Sequence, residues 1–203
     1  MMFRGIYSLK PYKDRQLSVL ANWLHSKNIS ANTVTLSGLI SGLLAALWLC
    51  VGWIGWGFVF ILLSIFADML DGTVARVSRT VSFQGRLFDS TSDRIVEIAW
   101  IGALIYIKFL PWWGLVLPLG SMALLFNRLW AYRRQIDTSF ILIARFERMM
   151  AVLGIIILPR HWLTYLFFLL VALGTFIANL FIVKALLNQR SAKISDGSGN
   201  VQG

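Results

Sequence analysis

Asp68, Asp71, Asp89, Asp93 and Glu97 are five of only nine acidic residues in a chain of 203, and all five fall within residues 66–97. Asp68 and Asp71 are spaced i, i+3, while Gly85, Asp89, Asp93 and Glu97 recur every four residues, so on helices each set lines a single face. Two such helices facing one another would aim four aspartates into one pocket. Oxygen-only ligands of this kind suit a hard divalent cation, Mg²⁺ or Mn²⁺, which keeps coordination sites open for phosphate oxygens. The window holds no cysteine, and His25 and His161 are the only histidines in the chain, which argues against zinc. Arg76, Arg86 and Arg94 are near in sequence, but none has a spacing that pairs it with all four aspartates. A structural polar network or a proton or ion pathway would use the same residue types.

The elements that must position these groups are apolar. With 58% hydrophobic and 14% charged residues, the composition excludes an ordinary soluble globule and predicts an all-α integral membrane protein. Apolar segments at 33–54, 56–75, 88–109, 112–131, 145–159 and 162–187 predict six transmembrane helices, the fifth short unless it continues through Arg145 and Arg148. Asp68 follows Trp56 by twelve residues, about 18 Å of helix, and Asp93 precedes Phe109 by about 24 Å, so both are expected at membrane depth in a hydrocarbon core of about 30 Å. An unpaired charge there costs roughly 2.5–3.5 kcal/mol, which calls for a positive partner.

The net charge of +10 does not gather on a polar domain, so nucleic acid is not an expected partner. Instead the cations mark one side of the membrane. Arg4, Lys10, Lys13, Arg15 and Lys27 precede the first span, Arg76, Arg79 and Arg86 follow the second, Arg133, Arg134 and Arg145 separate the fourth from the fifth, and Arg190 and Lys193 follow the last. The other loops carry only Lys108 and Arg160 among Trp53, Trp56, Trp112, Trp113 and Trp162. Six spans with both termini cytoplasmic satisfy this bias. Residues 1–30 form an expected cytoplasmic segment without a cleavable leader, in which Leu17, Leu20, Trp23 and Leu24 make one face of an interfacial amphipathic helix. A six-helix domain is expected over 31–188 and a disordered cytoplasmic tail over 189–203, where the sequence turns polar and glycine-rich. Cys50, the single cysteine, is expected to be a small buried hydrophobe.

Asp68-x-x-Asp71-Gly72-x-x-Ala75-Arg76, then eight residues, Gly85-x-x-x-Asp89-x-x-x-Asp93 resembles the signature of the CDP-alcohol phosphotransferases, matching all eight fixed positions. The resemblance implies that a CDP-linked alcohol, usually CDP-diacylglycerol, gives its phosphatidyl group to the hydroxyl of a second, polar alcohol and releases CMP. It implies two divalent metals on Asp68, Asp71, Asp89 and Asp93, with Asp93 also as general base, in a multi-pass inner-membrane homodimer whose active site faces the cytoplasm. Gly72, Ala75 and Gly85 would let the nucleotide approach the helices, and the planar guanidinium of Arg76 would meet the pyrophosphate. Upstream, Asn32, Thr35 and Gly38 resemble the family's opening of the first membrane helix, with Ala31 in place of its proline, which implies nucleotide contacts at Asn32 and Thr35. Capping by Asn32 explains that stretch equally well. At Gly38 and Gly42 a small-x-x-x-small pair predicts close helix packing.

"DSTSDR", residues 89–94, resembles the branch of the family that uses inositol phosphate, and "ARFERMM" places Arg145, Glu147 and Arg148 where that branch has a comparable run. An acceptor carrying its own phosphate needs a cationic cradle, which Arg128, Arg145 and Arg148 could supply. The same arginines also serve as topology determinants and anionic-lipid contacts. A glycerol-phosphate acceptor is the alternative within the family, and an ion-coupled transporter the alternative outside it.

Overall fold

The computed structural model describes residues 10–80, 82–134 and 145–197. Among these it contains seven helices and no strand: α1 (Lys10–Ser26), α2 (Ala31–Cys50), α3 (Ile54–Val77), α4 (Phe83–Tyr106), α5 (Val116–Arg133), α6 (Arg145–Ile157) and α7 (Trp162–Gly197), with a single 3₁₀ turn at Trp112–Leu115 ahead of α5. The chain divides into two compact units, Met1–Ala103 and Leu104–Gly203.

In the first unit α2 and α3 form a helical hairpin. Ser30 caps α2 by accepting a hydrogen bond from the Thr33 amide at 3.2 Å. After Cys50 the chain reverses through Gly52, whose φ of +87° is open to glycine at no steric cost. The helices then close on small residues. A Cβ at Gly38 would stand 3.0 Å from the Ala67 Cβ, and one at Gly42 would stand 2.6 Å from both γ carbons of Val96 on α4. The missing side chains are what bring α2 near enough to α3 for Ser64 Oγ to donate to Gly38 O at 2.8 Å, and near enough to α4 for Trp100 Nε1 to donate to Gly42 O at 2.9 Å. The packing role expected of Gly38 and Gly42 is therefore what the structure shows.

In the second unit α5 packs along α7 through Leu124, Ala131, Ala178, Ile182 and Leu186. A polar seam crosses the same contact: Asn127 Nδ2 donates to Asn179 Oδ1 at 2.8 Å, and Asn179 Nδ2 donates to the Gly120 and Thr175 carbonyls.

Four helical stretches, Ala31–Cys50, Ile54–Val77, Trp112–Arg133 and Trp162–Asn188, are long and apolar enough to cross a membrane. Their outward residues, such as Leu36, Ile40, Leu43 and Leu47 on α2 and Leu166, Leu170, Leu173 and Phe176 on α7, are exposed, as in a protein whose solvent is lipid. The expected third and fifth spans fall short of that standard. α4 carries Arg86, Asp89, Asp93, Arg94 and Glu97, and α6 has 13 residues as described.

One further expectation gains detail and two need correction. The apolar face of α1 is divided: Leu17, Leu20 and Leu24 pack on Ala67, Leu70 and Val74 of α3, where the small Ala21 lets α1 settle, while Trp23 stays 54% exposed. Cys50 is exposed, because Leu49 takes the inward position at the end of α2. α7 continues as helix to Gly197, so residues 189–197 are not the disordered segment expected from their polarity. Extending an established helix costs little, and Gln189, Arg190, Ala192 and Lys193 are good helix formers. Residues 198–203 lie outside the described part.

Gly42→Ala should lower the unfolding temperature in detergent, by the equivalent of about 1–3 kcal/mol for an overpacked contact. Val96→Ala placed in the same chain should recover part of the loss, whereas recovery of nothing would show that the crossing is not limited by this contact.

Candidate active site

The acidic residues are delivered by two helices of the first unit. α3 carries Asp68 and Asp71 one turn apart, and α4 carries Asp89 and Asp93. α4 begins at Phe83, five residues before the expected start of that span, because Ser82 supplies its cap: Ser82 Oγ accepts from the Gly85 amide at 3.0 Å. Gly85 and Asp89 thereby stand on one continuous helix.

Carboxylate oxygens of Asp68, Asp71 and Asp89 lie within 4.8 Å of one another. Asp71 is buried at 5% exposure and accepts a hydrogen bond at 2.6 Å from Thr35 Oγ1, which also donates to the Ala31 carbonyl of its own helix. Asp93 is not part of the close trio, but with the other three aspartates it lines a small cavity of about 10 Å³ that also touches Ser64 and Ser92. Glu97 leaves the group altogether. Its Oε2 lies 3.4 Å from Arg94 Nη1, and both side chains are buried. The fifth acidic residue of the window therefore answers a cation of its own helix.

Three carboxylates brought this close, in a bundle without a neighbouring histidine or cysteine, repel one another and fit a divalent ion held by oxygen. Asp68, Asp71 and Asp89 would each offer such an ion one carboxylate oxygen.

Beside the trio opens a cavity of about 200 Å³, lined by seven of the expected residues, Asn32, Thr35, Asp71, Gly72, Ala75, Gly85 and Asp89. A Cβ at Gly72 would meet only Arg76 Nη1, at 3.6 Å, so the cavity reaches the α3 backbone there. Asn32 is not the cap of α2, since Ser30 holds that place. The Asn32 Oδ1 instead stands 3.5 Å from where a Gly85 Cβ would be, which makes Gly85 the point where the α4 backbone meets α2. Arg76 is not among the lining residues. It is exposed, and its Nη2 donates to Thr73 Oγ1 at 3.0 Å. Ser30, Thr80, Ser82 and Arg86 also line the cavity and were not singled out from the sequence. A serine three residues before the motif glycine is a helix-start signal, and it would have found Ser82.

In the second unit Arg128 on α5 and Arg148 on α6 are close enough to act on each other's charge. Arg148 is 3% exposed, and the Arg128 Nε is buried without a hydrogen-bond partner among the described residues. The backbone of Arg145 opens α6, while its side chain lies outside the described part.

Comparison with known proteins places the motif in context. The "Phosphatidylinositol phosphate synthase" of Streptomyces avermitilis is 36% identical over 96 residues, 46% of this chain and 38% of that protein. The protein of the same name from Mycobacteroides abscessus is 30% identical over 104 residues, 51% of this chain and 47% of that one. A "Cardiolipin synthase (CMP-forming)" of Streptomyces coelicolor is 32% identical over 80 residues, 39% of this chain and 37% of the relative. Each match thus spans less than half the length of the relative. The model of the family described as CDP-alcohol phosphatidyltransferase matches residues 28–186, which takes in α2 to α6, most of α7 and every residue of the acidic motif, and the chain, an integral membrane protein, belongs to that family.

Proposed function

We propose that the chain is a phosphotransferase of phospholipid synthesis that moves the phosphatidyl group of CDP-diacylglycerol to a hydroxyl of inositol phosphate and releases CMP. The observation that carries this reading is the meeting of Asp68, Asp71 and Asp89 beside a cavity lined by the small motif residues. The acceptor is supported by the inositol-phosphate-like "DSTSDR" run and by two relatives named phosphatidylinositol phosphate synthase.

In this reading Asp68, Asp71, Asp89 and Asp93 hold two divalent cations, Mg²⁺ or Mn²⁺, which when bound supply positive charge to the pyrophosphate oxygens. Thr35 holds the Asp71 carboxylate in place by its hydrogen bond. Gly72, Ala75 and Gly85 leave room for the nucleotide, with Asn32 at the edge of the same cavity. The Arg76 guanidinium turns from Thr73 to the pyrophosphate, and Asp93 accepts the proton of the attacking hydroxyl as the P–O bond to the acceptor forms and the bond to CMP breaks. Arg128, Arg145 and Arg148 take the acceptor's phosphate. The domain spans 31–188 with six membrane helices, α4 and α6 joining the four apolar ones, and α1 lies at the interface with Val19 and Trp23 outward. It works as a homodimer in the inner membrane with the site toward the cytoplasm, the side to which the charge bias assigns the α3–α4 turn.

Purified protein given CDP-diacylglycerol, Mg²⁺ and inositol phosphate should release CMP, and chelator or Asp89→Asn should reduce the rate at least about 100-fold. Glycerol phosphate and phosphatidylglycerol run in parallel test the acceptor: CMP appearing only with one of these would overturn inositol phosphate while keeping the transferase. Thr35→Val keeps the shape of the side chain and removes the hydrogen bond to Asp71. It should weaken Mn²⁺ binding, read by electron paramagnetic resonance, by about 10–100-fold, the usual cost of losing a group that orients a metal ligand.

A further inference from the structure

Lys108 and Arg160 are the two cations that the charge bias leaves on the wrong side, and both are exposed. Each also occupies left-handed backbone, at φ 61° and 63°, where glycine or asparagine is the usual residue. Lys108 closes the end of α4, its amide donating to Ile105 O at 3.0 Å and that of Phe109 to Leu104 O at 2.9 Å. Arg160 follows Pro159 in a turn closed by the His161 amide on Leu158 O at 3.3 Å. The two turns are joined: Tyr165 Oη donates to Phe109 O at 2.9 Å, and the Trp113 ring meets Tyr165 and Phe168 edge-on. No acidic residue occurs in 106–115 or 157–163, and Trp112 and Trp162, 77% and 66% exposed, flank the cations.

Two long cations kept at positions that favour glycine, on turns fastened together and ringed by exposed indoles, match the chemistry of an anionic headgroup at the membrane interface. We propose that Lys108 and Arg160 clamp the phosphate of an anionic phospholipid in the leaflet at the far end of α4 from Asp89, with Trp112 and Trp162 beside its glycerol region. A zwitterionic lipid brings its own ammonium to that phosphate and gains less from two protein cations. This assignment rests on the membrane orientation proposed above and is independent of the reaction.

The test uses the purified full chain in micelles doped with phosphatidylglycerol or phosphatidylcholine, with the unfolding temperature as the readout. Lys108→Gly with Arg160→Gly suits the left-handed backbone and removes both charges, and Lys108→Arg with Arg160→Lys keeps them. Phosphatidylglycerol should raise the wild-type temperature. The glycine pair should need roughly 25-fold more of it for half the effect, about fivefold per cation, while the swapped pair stays within about twofold of wild type. Phosphatidylcholine should have little effect on any of the three. The proposal is overturned if the glycine pair answers phosphatidylglycerol as wild type does, or if it loses the same stability in both lipids, which would make the cations mere partners of the helix ends. CMP release by the glycine pair should be unchanged, so a failed lipid response and a failed transferase reading are told apart.

Discussion

Carboxylates held together in an apolar bundle set the terms for this protein. Asp68, Asp71 and Asp89 converge half-buried or buried between helices, and Asp71 is buried with a hydroxyl as a hydrogen-bonding partner. Their mutual repulsion makes the arrangement costly until positive charge arrives, and a compact divalent ion brings more of it per unit volume than any side chain. Arg94 on α4 is shared, since its guanidinium pairs with Glu97 and its charge also reaches Asp89. One shared guanidinium does not balance three carboxylates, so the cluster suits a divalent cation, and a phosphate-bearing ligand can follow that cation into the adjoining cavity.

The surrounding helices hold this arrangement by close approach. α2 supplies Thr35 to Asp71, and it can do so because Gly38 and Gly42 let it lie against α3 and α4. Serine and tryptophan then add hydrogen bonds to backbone carbonyls that a larger residue on α2 would push away. In lipid there is no hydrophobic gain from joining two apolar helices, so fit and polar contacts must supply the attraction.

Much of the site could be read from residue spacing alone. The intervals Asp68–Asp71 and Gly85–Asp89–Asp93 follow helical periodicity, and that periodicity survives folding. What could not be read was decided by local competition between equivalent signals. Ser30 and Asn32 are both good caps, and Ser30 won because its side chain reaches the Thr33 amide. Glu97 continues the four-residue repeat, yet the buried Arg94 one turn earlier captured it. The amphipathic pattern of α1 correctly marked an apolar face but not its partner, since lipid and the Ala67–Leu70–Val74 strip of α3 are equally apolar. Polarity alone misjudged residues 189–197, where the helix propagated past its apolar stretch.

The Trp100 indole bonded to the Gly42 carbonyl acts as a ruler. Trp100 stands seven residues, about 10 Å of helix rise, from Asp93 on α4. If α4 slid along α2 by one turn, the buried indole N–H would lose its acceptor and Val96 would lose the hollow that Gly42 provides. A contact remote from the acidic groups therefore sets the level at which α4 presents them, and the tolerance of that level is finer than a helical turn.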